Sequence, residues 1–179
     1  MILVTVGTNG AAFDRLLVEL DDLSPGEEII VQRGPSAVAP AGASCVDYLP
    51  FGEIERLVRK ARVVVTHAGV GSTLVAIDAG HHPVVVPRLR SFGEVVDDHQ
   101  VSFARRLDRQ GLVVCCTEPR MVRTLVAIST RVPRGTRLAG GRLVTELSAY
   151  LASQCGYSLS RAQTPPAAEP RMRRPTRVG

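Results

Sequence analysis

Near-continuous runs of β-branched apolar residues recur along this chain at Ile2–Val6, Ile29–Val31, Val63–Val65, Val84–Val86 and Leu112–Cys115. A strand with one wet face alternates apolar and polar residues. A strand that is apolar at every position has to be covered on both faces, which confines it to a parallel sheet with helices above and below. The intervening segments carry helical periods: Phe13, Leu16, Leu17 and Leu20; Phe51, Ile54, Leu57 and Val58; Val101, Ala104 and Leu107; Val122, Leu125 and Ile128. Strand and helix therefore alternate, and the pattern predicts a Rossmann-like, doubly wound α/β domain. A weaker strand is expected over Ser44–Tyr48, and Thr117-Glu118-Pro119 reads as a helix start with a capping hydroxyl.

The domain is expected to span residues 1–155, enough to bury one good core, and to end on an amphipathic helix carrying Leu143, Leu147, Tyr150 and Leu151. Residues 156–179 form a basic Pro/Arg-rich tail, with order expected to end near Gln163. Charge follows this division. The chain carries a formal +5, yet residues 161–179 hold five arginines against Glu169 alone, so the body is near neutral. A basic tail that cannot form a folded face argues against nucleic-acid binding, as does the absence of Trp from a chain only 4% aromatic. Cys45, Cys115, Cys116 and Cys155 make no CxxC pair, and Cys115 and Cys116 read as reduced core residues. No secretory leader or membrane-spanning run is evident, so a cytoplasmic location is expected.

In open α/β sheets, ligands bind at the carboxyl ends of strands, where helix N-termini present amides. Three such ends carry unusual residues. Gly7-Thr8-Asn9-Gly10 follows the first strand, Thr66-His67-Ala68-Gly69-Val70-Gly71-Ser72-Thr73 follows the Val63–Val65 strand, and Pro87 leads to Asp97-Asp98-His99-Gln100 after the Val84–Val86 strand. Gly69-Val70-Gly71 is half of a dinucleotide fingerprint. Its third position is Leu74, however, no acidic ribose ligand follows, and it lies at a mid-chain strand, so a nicotinamide or flavin enzyme is disfavoured. His67 elsewhere would read as a core histidine. Beside a Gly-rich helix start its ring is placed to donate to a phosphate oxygen, together with the Ser72 hydroxyl and the amides from about Val70 to Thr73. His81-His82 reads as a surface pair on the opposite edge. His67 and His99 lack a carboxylate partner for a metal site, and no metal is expected.

Taken in order, Met1 to Thr8 with Phe13-Asp14-Arg15-Leu16, Thr66 to Ser72, and Pro87 through Asp98-His99-Gln100 resemble the C-terminal domain of glycosyltransferase family 28. The resemblance covers about residues 1–125. It is strongest to stand-alone versions, such as the catalytic subunits of the dolichol-linked GlcNAc transferase and of bacterial exopolysaccharide transferases. It implies one half of a GT-B fold that takes a UDP-sugar as substrate, with no cofactor. Gly7, Thr8 and Asn9 would form the first donor loop, with His67, the catalytic residue, joined by Gly69, Gly71 and Ser72 around the diphosphate. His99 and Gln100 would read the donor sugar. Where many such domains place a ribose-binding Glu, this chain has Val75, with Asp78 one turn further on.

The resemblance further implies inversion at the anomeric carbon, with the general base on a side this chain lacks. The expected partners are a membrane-anchored acceptor-binding subunit and a polyprenyl-diphosphate-linked acceptor, reached at the inner face of the membrane. The absence of an Asp-x-Asp motif fits a metal-independent reaction, in which a helix N-terminus and His67 stabilise the leaving diphosphate. Two other readings use the same residues: a non-catalytic nucleotide-sugar-binding regulatory subunit, and a nucleotide-sugar epimerase-like protein, which normally needs a second domain in the same chain.

Overall fold

In the computed structural model, residues 1–8 and 10–129 are described. The apolar runs form six strands, β1 (Ile2–Thr5), β2 (Ile29–Gln32), β3 (Ser44–Val46), β4 (Val63–His67), β5 (Val84–Val86) and β6 (Val114–Cys115), in the order β3-β2-β1-β4-β5-β6. Every pairing is parallel. The helices are α1 (Asp14–Leu17), α2 (Phe51–Lys60), α3 (Val70–Asp78), α4 (His99–Arg109) and α5 (Val122–Ile128). This is the doubly wound topology that the continuous apolar runs predict.

Successive strand residues feed two separate cores. Ile2 and Val4 pack with Phe13, Leu16, Leu17, Leu20, Val122 and Val126. Leu3 and Val64 pack on the other face with Leu57, Val58, Ala61 and Ala76. All of β1 and β5 is buried, whereas the edge strand β3 is mostly exposed, in keeping with its weaker pattern. Each fully buried Leu or Val contributes about 1.5–3 kcal/mol, so the central strands anchor the loops that leave their carboxyl ends. At the opposite end of the sheet Arg62 donates to Glu27 (2.7 and 3.0 Å) and to the carbonyls of Val126 and Ser129. Those hydrogen bonds hold the Glu27 carboxyl at about 2.

Four local expectations are corrected. The Phe13–Leu20 period is a single α turn that continues as a 3-10 turn at Val18–Leu20. Leu112 and Val113 are buried but lie outside β6. The Leu112 N–H closes α4 by bonding the Leu107 carbonyl (3.0 Å), after a left-handed Gly111. Thr117 makes no cap, because a 3-10 turn at Pro119–Met121 precedes α5 with Glu118 in the capping position. His81 is buried, not a surface residue: its Nε2 meets the Val58 carbonyl at 2.7 Å and ties the α3–β5 turn to α2, while His82 is exposed. Cys116 is a buried free thiol, as expected, and Cys115 is half-buried. The expected 143–151 helix, the domain end at 155 and the tail lie outside the described residues.

Replacing Leu17, fully buried under the sheet, by Ala is expected to cost about 2–5 kcal/mol in urea unfolding. The same change at its exposed neighbour Val18 is expected to stay within about 0.5 kcal/mol.

Candidate functional site

The strand order reverses its winding between β1 and β4. A crevice opens at such a point because the loops leaving the two strands cross to opposite faces. Here the loops are Val6–Ala12 and Ala68–Gly69, and the Thr5↔Thr66 register brings them side by side. The two threonine hydroxyls meet at 2.9 Å; Thr66 Oγ1 then donates to Ser72 Oγ (3.0 Å), which donates to the Gly69 carbonyl (3.3 Å). A short polar relay therefore fastens the start of α3 to the central strands.

His67, the last residue of β4, projects between the loops. A methyl group added at Gly7 would stand 2.5 Å from its Cε1, and one at Gly69 would overlap the ring more severely. The ring thus fills the space that side chains at both positions would need, and Gly7 also adopts φ +79°, which favours glycine. His67 Nδ1 is buried without a hydrogen bond. Burial, reinforced by the nearby Arg88 charge and weakly opposed by the Thr5 backbone, pushes the imidazole down to about 4. At neutral pH the ring is therefore uncharged, and what it has for an anion is a neutral N–H donor.

The N–H groups of Val70, Gly71 and Ser72 precede the first intrahelical bond of α3, from Thr73 N–H to the Gly69 carbonyl (3.1 Å). They are the amides that the start of a nine-residue helix leaves without intrahelical partners, the kind of end that suits an anion. Gly71 is exposed and has open space where a Cβ would stand. The Ser72 hydroxyl already donates within the chain, so Ser72 has its main-chain amide for an anion. Thr8 and Gly10 are exposed at the loop's rim. Asn9 lies outside the described residues.

The third expected segment arrives beside this crevice in a different state. Gln100 is 6% exposed, and its Oε1 accepts the Arg88 main-chain N–H (3.1 Å). Its amide nitrogen is then what it has for a sugar hydroxyl. His99, at the start of α4, is exposed, and its ring pairs with Asp97, whose Oδ1 also accepts the His99 main-chain N–H (2.9 Å). These bonds hold the Asp97 carboxyl below the usual range. Val75 and Asp78 share a shallow groove with Glu55, Arg59, Leu74 and Ala79, toward the C-terminal halves of α2 and α3. It does not open on the crevice's helix start.

Sequence reasoning missed Arg88 and Glu94. Arg88 is fully buried, as is nearly all of Glu94. Glu94 takes Arg15 in a two-point pair (2.9 Å each) and accepts the Leu89 N–H. A charged residue directly after the apolar β5 and its proline was the available signal. Among the described residues no group of three or more His, Cys, Asp and Glu side chains is gathered to hold a metal ion, and no helix is long and apolar enough to cross a membrane.

Residues 1–130 match the glycosyltransferase family 28 C-terminal domain. The chain belongs to that family. It is 30% identical over 129 residues to the human UDP-N-acetylglucosamine transferase subunit ALG13, covering 65% of this chain and 11% of that protein. Over 59 residues it is 41% identical to the ALG13 subunit of Yarrowia lipolytica, covering 33% of this chain and 26% of the relative. The matches thus span a minor part of these relatives' length. The calicheamicin glycosyltransferase CalG4 shares the fold, with a TM-score of 0.53 at 22% identity, over 86% of this chain and 44% of that one. The family 28 domain is a Rossmann-like half of the GT-B fold, and the order of the six parallel strands agrees with that.

Gly69 has ordinary backbone angles, so Gly69→Ala tests the His67 contact alone. It is expected to cost about 1–3 kcal/mol by overpacking, and to cost less than about 0.5 kcal/mol in a His67→Ala background where the ring is gone. Urea unfolding of the four chains gives the coupling. NMR titration of His67 is expected to show a midpoint near 4. Because the unfolded ring, near 6.5, takes its proton first as pH falls, the site's contribution to stability is complete above 6.5 and is lost progressively toward 4.

Proposed function

We propose that this chain is the donor-binding catalytic subunit of a two-subunit, inverting glycosyltransferase that moves a hexose-type sugar from a UDP-sugar to a polyprenyl-diphosphate-linked acceptor. The observation that carries this reading is the convergence, at the β1/β4 switch point, of a left-handed Gly7 loop, the α3 N-terminus and a neutral His67 between them. Family membership and the names of the relatives, UDP-N-acetylglucosamine transferase subunits, support it.

Glycosyl transfer from UDP requires a leaving diphosphate to accept charge. The Val70, Gly71 and Ser72 amides, backed by the α3 dipole, lie where that charge would develop, and the His67 N–H adds a neutral donor. This electrostatic set is complete without a metal ion. His99, oriented by Asp97, and the amide of Gln100 at the neighbouring loop would address the sugar. Ribose recognition falls to main-chain groups, since Val75 offers no hydrogen bond.

An acceptor hydroxyl attacking from the face opposite the diphosphate needs a general base on that side. GT-B sites lie between two Rossmann-like halves, and residues 1–130 supply one. That the relatives are named subunits supports assigning the second half and the acceptor to a membrane-anchored partner, which would hold this subunit peripherally at the inner face of the membrane.

The purified chain is expected to bind UDP weakly in the presence of EDTA, with NMR shifts at Gly7 and at Gly69 to Thr73, and to transfer nothing alone. With its partner, His67→Ala is expected to lower kcat about 10²-fold. Absence of UDP shifts would sink the donor assignment. Robust transfer by the isolated chain would overturn the two-subunit reading, and a partner complex that binds UDP-sugar without turnover would leave a regulatory subunit.

A further inference from the structure

Arg88 is the largest fully buried side chain among the described residues. It leaves the carboxyl end of β5 behind Pro87 and reaches back under the first loop. Nη1 donates to the carbonyls of Ala11 (2.9 Å), Ala12 (3.0 Å) and Glu94 (3.2 Å), and Nη2 donates to that of Val6 (2.8 Å). The guanidinium also lies over the Phe13 ring, 4.7 Å from its centre. All four acceptors are main-chain carbonyls.

Their positions matter more than their number. Val6 and Ala11–Ala12 are the two ends of the loop that carries Gly7, Thr8 and Gly10. One planar group bonded to both ends sets the distance between them and hence the width of the loop. The same residue's main-chain N–H is accepted by Gln100 Oε1 (3.1 Å), which fixes the Gln100 side chain. A second link runs outside the first: Arg15 joins Glu94 and donates to the Pro87 carbonyl (3.0 Å), while Glu94 accepts the Leu89 N–H (2.8 Å). Arg88 therefore ties the first loop to the β5 loop through its guanidinium and the start of α4 through its main-chain N–H.

Burying a charge is costly, and a well-packed apolar residue often serves stability as well or better. The cation's definite consequence here is geometric. A lysine ammonium, a compact point charge, cannot reproduce a planar fork bonded to both ends of a loop.

We propose that Arg88 is a positioning residue of the donor site, fixing the span of the Val6–Ala12 loop and the orientation of Gln100 so that both meet a nucleoside diphosphate in one geometry. This rests on the donor reading of the β1/β4 crevice. Arg88, fully buried, would act on a ligand only through the loop main chain and the Gln100 side chain that it holds. Arg15 and Glu94 are its outer support.

The test is UDP titration of the full chain by NMR, with hydrogen exchange at Val4, Val64 and Val85 reporting the core. Arg88→Lys keeps the charge and loses the fork. It is expected to weaken UDP binding at least tenfold and to shift the Gly7 and Gly10 amide resonances, while core exchange and the Gln100 side-chain resonance, whose partner is the retained main-chain N–H, are unchanged. If Arg88→Lys does not fold, Arg15→Gln removes the outer link from a partly exposed position and is expected to weaken UDP threefold or more. UDP affinity within twofold of wild type in the folded variant overturns the inference, as does a loss that appears only together with faster exchange throughout the core. A wild-type chain that takes no UDP overturns the donor reading and this inference with it, whereas a wild type that binds and a variant that binds equally overturns the inference alone.

Discussion

The parallel pairing of β1 with β4 is the constraint on which the crevice depends. With Thr5 in register with Thr66, the residues that follow each strand emerge at the same height and must share one small volume. His67 fills it. Because the ring stands where a Cβ of Gly7 or Gly69 would have to go, both loops are reduced to bare backbone beside it. The strand order then turns the following helices to opposite faces, which leaves the crevice open above the ring.

That arrangement places polar groups where the core would otherwise be dry. Thr5, Thr66 and Ser72 satisfy one another in a relay, yet both polar atoms of Gln32, Thr73 Oγ1, His67 Nδ1 and Arg88 Nε are buried without partners. Each such group costs about 1–3 kcal/mol. They gather at the carboxyl edge of the central strands, while the opposite end of the sheet closes with the satisfied Glu27–Arg62 pair. The least satisfied part of the core is thus the part that faces the site, and the apolar layers of the two cores sustain it.

Much of this was legible in the residues. Consecutive Val and Ile in β1, β4 and β5 can only be buried on both faces, so the parallel sheet followed from local pattern. The three strand-end segments stood out because Gly, His, Ser and Gln interrupt otherwise apolar sequence. What periodicity could not reveal was partnership over long separations. His81 reads as half of an exposed pair until α2 brings the Val58 carbonyl to it. Gln100 reads as a wholly free amide until the β5 loop brings the Arg88 main-chain N–H to its Oε1. Ser72 reads as a hydroxyl donor for phosphate until Thr66 and Gly69 engage it.

The sequence by itself determined the class of fold and singled out the carboxyl ends of the strands, because burial on two faces and helix N-termini at strand ends are consequences of residue order. Only the tertiary structure decided the charge state of His67 and the place of Arg88. Both depend on what surrounds a group from elements distant in the chain. The imidazole is neutral because the crevice desolvates it beside a cation, and the guanidinium is tolerated in the interior because carbonyls from the first loop, more than seventy residues away, converge on it.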